Sequence, residues 1–416
     1  MVKMKDSGIE WIGEIPETWE VALNKFVMTK IKQIIPKYTG EPILSLSMTG
    51  VHERNLDDGG KMPSTFDGYQ VVKRGNLLLC LFDIDVTPRC VGYIQADGIT
   101  SPAYSQYEVN DNNSAKYYYY YYLMIDNSKI LVHLTKSLRN TINADQFDNI
   151  KAIVPPKLEQ QQIANFLDRK TTEIDELIDK INAEIDLMER YKHAAISNAV
   201  TIGIDSNSKL KTSNVDYIPI LNSNWRITKL GYICNKLMRP FNSTDTALIC
   251  SNQGKVIERP DSALGIMVSG DNAMQGIKNG DIAIHGMDTW HGAIALSNKN
   301  GKITRVVHVC ESIEDNRFIV YYLQHLAFQG VYKLISNGVR GNTSDFRSWE
   351  KVKNIYISIP ESMQEQARIC DYLDELTSKI DKNINQKQQQ ITKLTEYKNS
   401  LIFEYVTGKK QVKEAK

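Results

Sequence analysis

Apolar residues recur every three or four positions along residues 157–202, a stretch that contains no Gly or Pro. Charged residues fill the positions between them. This spacing predicts a long helix with an a/d seam that packs along a partner helix. A second seam, with an unusually polar middle, lies within residues 361–407. The first seam comprises Ile174, Ile178, Ile181, Ile185 and Met188, and the second comprises Leu373, Leu376, Ile380, Ile384, Ile391 and Leu394, continued by Leu401 and Tyr405.

Short β-type runs and turns dominate the stretches before each predicted helix, at about 1–155 and 215–360. Each stretch closes with an extended run into proline, at 149–155 and 354–360, which is typical of a last strand. The six consecutive tyrosines at 117–122 fit either a packed amphipathic helix with alternating buried and exposed rings or a platform for stacking nucleic-acid bases.

A single shift of 206 positions relates the two halves of the chain. It aligns Trp19 with Trp225 near the start and Glu159-Gln160 with Glu365-Gln366 further on. It also aligns the helix residues Tyr191-Lys192 with Tyr397-Lys398. The chain is therefore two copies of one module, each a β-rich part followed by a long helix. We expect an α+β fold in which two mixed α/β domains are separated by two long helices that pair as an antiparallel coiled coil, with a pseudo-two-fold repeat.

Composition excludes several classes of protein. The chain has 416 residues with a net charge of +1, so it is not a general polycation, although residues 206–360 carry 18 basic and 12 acidic groups. No apolar run reaches the roughly 18–20 residues of a membrane span. Six scattered cysteines form no C-x-x-C pair, which favours a reduced, cytoplasmic protein without a zinc site.

Recognisable catalytic motifs are missing from the sequence. It contains no phosphate-binding G-x-x-x-x-G-K-[ST] loop and no complete nuclease metal cluster after Pro260-Asp261. Val154-Pro155-Pro156-Lys157 lacks the flanking residues of an amino-methyltransferase motif. His285 and His291 lie six positions apart, which fits a hydrogen-bonded loop better than a metal site. We predict no catalytic residues, no metal and no cofactor in this chain.

Candidate DNA contacts lie in predicted loops. Arg139 and Asn140 precede the closing strand of the first copy, and Arg340 and Asn342 hold a similar place in the second copy. Arg can bind guanine and Asn can bind adenine through paired hydrogen bonds, while a loop Arg also reaches phosphates. Solvated loop residues are the alternative. Trp290 and His291 are further candidates, although Trp290 also suits a core position.

With this repeat, the chain resembles the specificity subunit of type I restriction–modification systems over nearly its whole length. The opening run 6–19 is similar to the family's N-terminal signature, and the runs 69–76, 98–104 and 278–281 resemble segments of its target-recognition domains. Residues 155–160 close the first domain in the family manner. Residues 360–366 depart from that pattern by losing one proline and gaining a residue.

The resemblance implies a non-catalytic subunit that reads a bipartite, non-palindromic sequence in double-stranded DNA. Its partners would be methyltransferase subunits, with two expected, that bind S-adenosylmethionine, and possibly a restriction subunit that uses ATP and Mg. The implied layout is target-recognition domain 1 at 1–156, a spacer helix at 157–202, a linker at 203–214, target-recognition domain 2 at 215–360, a second spacer helix at 361–407 and a tail at 408–416. An enzyme with degenerate motifs and a purely structural coiled-coil scaffold remain the alternatives.

Overall fold

A computed structural model describes residues 3–56, 63–135, 140–260, 270–336 and 346–412. The chain divides into two compact units. Unit 1 comprises Met1–Ile181 and Gln388–Lys416, and unit 2 comprises Asn182–Lys387. Each unit therefore combines a β-rich segment with part of each long helix.

The first half of the chain holds twelve strands and four helices among its described residues. The strands are β1 (Met4–Asp6), β2 (Glu14–Pro16), β3 (Glu20–Leu23), β4 (Met28–Ile31), β5 (Leu44–Ser47), β6 (Gly50–Glu53), β7 (Gln70–Val72), β8 (Leu77–Leu79), β9 (Val91–Tyr93), β10 (Gly98–Thr100), β11 (Ser105–Val109) and β12 (Lys151–Val154). The helices are α1 (Ala115–Asn127), α2 (Ile130–Leu134), α3 (Ala144–Asp148) and the long α4 (Lys157–Thr201).

In unit 1 an antiparallel sheet of order β4-β11-β8-β9 packs against α1. Strand β3 pairs with the closing strand β12, and the remaining strands form the pairs β1-β2, β5-β6 and β7-β10. Helix α1 begins after Ser114, whose hydroxyl accepts a hydrogen bond from the backbone N–H of Tyr117. The main core joins this sheet and α1 to parts of both long helices.

The second half repeats this order of strands. Its strands are β13 (Leu210–Thr212), β14 (Ile220–Asn222), β15 (Trp225–Lys229), β16 (Cys234–Leu237), β17 (Ala247–Cys250), β18 (Val256–Glu258), β19 (Met274–Ile277), β20 (Ile282–His285), β21 (Ile294–Leu296), β22 (Gly301–Thr304), β23 (Val307–Ser312) and β24 (Tyr356–Pro360). Its helices are α5 (Leu230–Ile233), α6 (Asn316–Phe328), α7 (Val331–Ile335), α8 (Trp349–Val352) and the long α9 (Met363–Val406).

In unit 2 the sheet β16-β23-β20-β21 has the same strand order as the main sheet of unit 1 and packs against α6. Strand β15 pairs with the closing strand β24. A second sheet of unit 2 has the order β18-β17-β22-β19, with β17 and β22 parallel. In unit 1 the equivalent pairs β5-β6 and β7-β10 are joined by a single parallel bridge between Ile43 and Ile99. The predicted α+β class, with two mixed units and two long helices, is confirmed.

Each long helix is followed shortly after its last residue by a glycine with a left-handed backbone. Gly203 follows α4 with φ +100, and Gly408 follows α9 with φ +72. Glycine adopts this conformation without the steric cost that other residues have. At Gly408 a Cβ atom would also lie 2.4 Å from Cδ of Pro16, so the helix end sits close against the β1–β2 hairpin.

Part of the segment predicted as a linker at 203–214 is ordered secondary structure. Leu210–Thr212 forms β13 and pairs with Ile220–Asn222. The loop proper is the Asp- and Ser-containing turn before it, where Ser208 donates to the carbonyl oxygen of Asp205. The sequence showed the polar turn, but the fully exposed three-residue strand has no apolar alternation that would reveal it.

Candidate functional site

In each unit an indole–carboxylate hydrogen bond ties the start of β3 or β15, the strand that pairs with the closing strand, to the start of a long helix. In unit 1 the Nε1–H of Trp19 donates to Glu159 at 2.9 Å. In unit 2 the Nε1–H of Trp225 donates to Glu365, also at 2.9 Å. Both rings are 1% exposed, so the carboxylate satisfies a donor that burial would otherwise leave without a partner. The two bonds are related by the shift of 206 positions.

A buried glutamine links three elements in each unit. The side chain of Gln160 accepts from the backbone N–H of Ser114 at 2.8 Å and donates to the carbonyl oxygen of Pro155 at 2.7 Å. Gln366 makes the same two bonds, from the N–H of Asp315 and to the carbonyl of Pro360. Both glutamines are 0% exposed. The start of the long helix is thereby fixed to the closing strand and to the beginning of α1 or α6.

Further along α4 and α9, equivalent polar groups bind α1 to α4 in unit 1 and α6 to α9 in unit 2. Tyr120 donates to Asp168 at 2.9 Å in unit 1. Tyr321 donates to Asp374 at 2.7 Å in unit 2. A cation completes each site, since Lys116 pairs with Asp168 and Arg317 with Asp374. Burial raises the pKa of both tyrosines, so their hydroxyl groups stay protonated donors.

The tyrosine run forms part of helix α1, and five of its six rings are buried. Their hydroxyl groups reach defined partners: Tyr117 donates to the carbonyl oxygen of Val406, and Tyr118 donates to that of Ile153. Tyr122 donates to Asn24. Burial raises the pKa of these three side chains. The interpretation as a packed helix is confirmed, but the expected alternation of buried and exposed rings is wrong, since α1 packs against both the sheet and α4. The buried rings are not available as a base-stacking platform.

The long helices run antiparallel within each unit. In unit 1 Phe166 contacts Tyr405, with ring centroids 4.4 Å apart, and Asp175 pairs with Lys398 at 2.6 Å. In unit 2 Glu184 pairs with Lys387 and Lys192 pairs with Asp381, so α4 and α9 run in opposite directions there too. The pairs Asp175–Lys398 and Asp381–Lys192 are equivalent under the repeat.

The predicted seam residues face the interior of their units to different degrees. Buried are Ile174, Ile181, Leu373 and Ile380, and partly buried are Ile178, Ile185, Met188, Leu376, Ile384, Ile391 and Leu394. Leu373 is 0% exposed, whereas the polar middle of α9 is mostly exposed. Their role in docking other subunits stays a prediction.

Only part of the predicted DNA-contact set lies in the described chain. Arg139, Arg340 and Asn342 fall outside the described residues, so their role stays a prediction. Asn140 is described and has a left-handed backbone with φ 44. Its side chain accepts from the hydroxyl of Thr135 at 2.9 Å, and its carbonyl oxygen accepts from the N–H of Ile84. These local bonds shape the turn, and DNA contact by Asn140 remains a prediction.

Trp290 and His291 share the short 3-10 helix Thr289–His291. The Trp290 ring is partly buried against the main core of unit 2, and the Lys333 ammonium lies 6.0 Å from its centroid. Among the described residues its Nε1–H has no hydrogen-bond partner. His291 is exposed. The structure thus places Trp290 at the edge of the core of unit 2 and His291 at the surface of that unit.

The surrounding loop is held by His285. Its Nδ1 accepts from the backbone N–H of Asp288 at 3.1 Å, and burial lowers its pKa. Within the described parts of the chain, no group of three or more His, Cys, Asp or Glu side chains is placed to hold a metal ion. None of the described helices is apolar over a length that would cross a lipid bilayer.

A model of the type I restriction modification DNA specificity domain matches residues 91–187 and 222–393, more than half of the chain. The chain belongs to this family. The two matched segments include the closing strands and the Tyr–Asp docking sites of both units of this specificity-domain protein.

Two curated relatives come from Methanocaldococcus jannaschii. The type I restriction enzyme MjaVIII specificity subunit is 24% identical over 292 residues, covering 64% of each chain. The putative type I restriction enzyme MjaX specificity subunit is 30% identical over 93 residues, covering 22% of this chain and 20% of that protein. This specificity-domain protein therefore aligns with less than two thirds of the length of either relative.

A solved structure from work on complex assembly and conformational transition of the type I R-M system has the same fold. Its chain superposes with a TM-score of 0.66 at 13% identity, covering 95% of this chain and 99% of that chain. At this identity the likeness concerns the fold alone.

Sequence reasoning missed the polar framework of this specificity-domain protein. Glu159, Gln160 and Asp168 are matched by identical residues 206 positions further along the chain. The available signal was the retention of polar residues at equivalent helix positions next to apolar ones. A polar residue kept in both copies at such a place indicates a buried hydrogen bond.

Proposed function

We propose that the chain is the recognition subunit of a type I restriction–modification complex and reads a bipartite, non-palindromic DNA site. Unit 1 reads one half of the site and unit 2 reads the other. The observation that carries this proposal is the repeated hydrogen-bond framework. In each unit the same polar contacts fix a different β-rich part to the start of a long helix. The two β-rich parts repeat the same strand pairings but differ in sequence outside the repeated positions, so the two surfaces differ.

The chemistry belongs to partner subunits in this proposal. Methyltransferase subunits, two per chain, bind S-adenosylmethionine and methylate the site, and a restriction subunit would supply the ATP- and Mg-dependent step. The chain itself has no catalytic role. We expect the purified chain alone, incubated with S-adenosylmethionine, Mg and DNA, neither to methylate nor to cut. Turnover that persists after removal of contaminating enzymes would favour the alternative of a degenerate enzyme.

The decisive experiment exchanges one recognition surface. Residues 215–360 are replaced by those of a relative, and N6-methyladenine is mapped across the genome of a host that carries the partner subunits. We expect one half-site to change while the other half-site stays. The reciprocal exchange of residues 1–156 is the matched control and should change only the other half. A change of both halves or of neither would contradict modular reading, and loss of sequence dependence would favour a structural scaffold.

Arg139 and Arg340 are the sharpest test of the predicted loop contacts. If either arginine binds a base, its replacement by alanine should weaken binding by about 1–3 kcal/mol and relax one position of the site. If it binds a phosphate, affinity should fall for all sequences and the salt dependence should flatten. Binding isotherms of the assembled complex at several salt concentrations separate these cases. Unchanged affinity and slope for both variants would leave them as solvated loop residues.

A further inference from the structure

Basic residues are segregated at one equivalent place in both copies of the repeat. Residues 21–38 contain four lysines and no Asp or Glu, and the equivalent residues 227–244 contain two lysines and one arginine and again no acid. The whole chain, by contrast, has 50 basic and 49 acidic residues. Two copies that have diverged elsewhere have therefore both kept a locally cationic segment.

The two segments fold alike. Each passes through one short helical turn, Asn24–Phe26 in unit 1 and Leu230–Ile233 in unit 2, and then enters β4 or β16. Each of these strands lies at the end of its four-stranded sheet, so one of its long sides has no strand neighbour among the described elements. The strand burial pattern is the same in both units, with two exposed central residues. One of these residues is a lysine in each case, Lys30 and Lys236.

An exposed aromatic ring accompanies each lysine. Phe26 is 65% exposed and Tyr232 is 76% exposed, and the two positions differ by the repeat shift of 206. Neither ring belongs to a hydrophobic core of its unit. In unit 1 the Lys25 ammonium lies 5.4 Å from the Phe26 centroid, whereas in unit 2 the Lys229 ammonium lies 5.3 Å from the centroid of Tyr356. A single exposed aromatic ring is common on protein surfaces. An exposed ring at the equivalent position of both copies is not explained by packing, because neither ring lies in a core.

The charges around these strands leave Lys30 and Lys236 available. Neither lysine forms an ion pair within the described chain. The nearest acids across the sheet are Glu108 beside Thr29 and Glu311 beside Asn235, and Glu311 already faces Arg239 at 3.7 Å. Arg239 itself is held by both carboxylate oxygens of Asp281. Lysines on a sheet edge also prevent edge-to-edge pairing of sheets, but that role does not require an adjacent exposed ring.

We infer that these strands form two equivalent sites for the phosphate backbone of duplex DNA, one in each unit. Lys30 and Lys236 neutralise a phosphate, and Phe26 and Tyr232 pack against the neighbouring sugar. Charge complementarity indicates that the occupant is a polyanion. That this polyanion is duplex DNA rests on the proposed function. These contacts carry no sequence information, so they hold the duplex while other residues read bases.

The test measures the salt dependence of DNA binding by the assembled complex. Lys30→Gln and Lys236→Gln are compared with wild type on a duplex that carries the mapped methylation site and on an unrelated duplex of equal length. Each variant should lower the slope of log K against log salt by about 0.9, and the double variant by about 1.8. Phe26→Ala and Tyr232→Ala should weaken binding to both duplexes without changing the slope.

Lys5→Gln with Lys209→Gln is the matched control. It removes one exposed lysine from the hairpin region of each unit and should leave the slope at the wild-type value. Equal slopes for wild type and the Lys30/Lys236 double variant would overturn the inference. So would loss of the co-purified methyltransferase subunit with an unchanged slope, because the surface would then bind protein.

Failure of the proposed function gives a different result. In that case the wild-type complex would not prefer the mapped duplex over the unrelated one. Retained preference together with unchanged slopes in all variants would overturn only the phosphate sites.

Discussion

Burial makes His325 a pH-sensitive residue of unit 2. It lies on α6, is 7% exposed and hydrogen-bonds Ser197 of α4 at 2.8 Å through Nδ1. Desolvation lowers its pKa from the usual value of about 6.5 to about 4. The unfolded chain therefore binds one more proton than the folded chain between these two pH values. Stability contributed by the neutral ring is complete above about pH 6.5 and is lost as pH falls toward 4.

We expect His325→Gln to flatten the pH dependence of stability in this window. Glutamine can still hydrogen-bond Ser197 but takes up no proton. In this window the free energy of unfolding of wild type should fall more steeply with decreasing pH than that of the variant. The difference in slope should be up to about 1.4 kcal/mol per pH unit. Urea unfolding at a series of pH values between 4 and 7.5 measures this slope. The exposed His133 on α2 gives the control His133→Gln, which should keep the wild-type slope. An unchanged slope in His325→Gln would contradict the assignment.

At the scale of elements, the core of each unit contains the C-terminal end of a long helix, which in unit 1 comes from a distant part of the chain. Ile402 of α9 is 0% exposed in the core of unit 1, and Ile196 of α4 is 1% exposed in the core of unit 2. These isoleucines are equivalent under the repeat. Beyond α9, Lys409 donates to the carbonyl oxygen of Glu14, so the tail also packs on the N-terminal hairpin.

This arrangement predicts that Ile402→Ala destabilises the N-terminal β-rich part although the two are far apart in sequence. Removal of a buried isoleucine side chain beyond Cβ costs about 2–5 kcal/mol. Hydrogen exchange of intact chains should then accelerate in α1 and β8 of unit 1 and not in α6 and β20 of unit 2. Ile196→Ala is the matched variant and should give the reverse pattern. Acceleration spread evenly over both units by either variant would show that the two units do not unfold separately.

The sequence predicted the elements better than it predicted their polar contacts. Heptad spacing at Ile174 to Met188 and the proline-terminated strands were readable, because periodicity reports burial directly. The repeat shift then predicted two similar units. The buried bond from Trp19 to Glu159 was not readable, because nothing local distinguishes a buried carboxylate from a solvated one. The exposed strand Leu210–Thr212 was missed since its pairing with β14 leaves no apolar pattern.

At the scale of the whole molecule, the boundaries between the units fall within the long helices. Helix α4 contributes residues up to Ile181 to unit 1 and the rest to unit 2, and α9 passes from unit 2 to unit 1 after Lys387. Residues inserted at these two points would fall at the boundary between the units, so we expect the helix contacts inside each unit to be kept. The ion pair Asp175–Lys398 stays within unit 1, and Lys192–Asp381 stays within unit 2.

If the paired helices set the spacing between half-sites, as a ruler would, their length should determine the length of the DNA spacer. One heptad inserted after Ile181 and another after Lys387 keep the apolar seam in phase. Each adds roughly 10 Å at 1.5 Å per residue, which corresponds to about 3 base pairs at ~3.4 Å each. We expect both half-sites to be retained and the non-specific spacer between them to lengthen by this amount.

Mapping of N6-methyladenine in a host that carries the partner subunits measures both quantities at once. Seven residues inserted instead at the exposed Asn207 lengthen the chain without lengthening either helix, so that control should keep the original spacer. Methylated sites with an unchanged spacer in the double-heptad variant would mean that the helices hold the protein together without measuring the DNA.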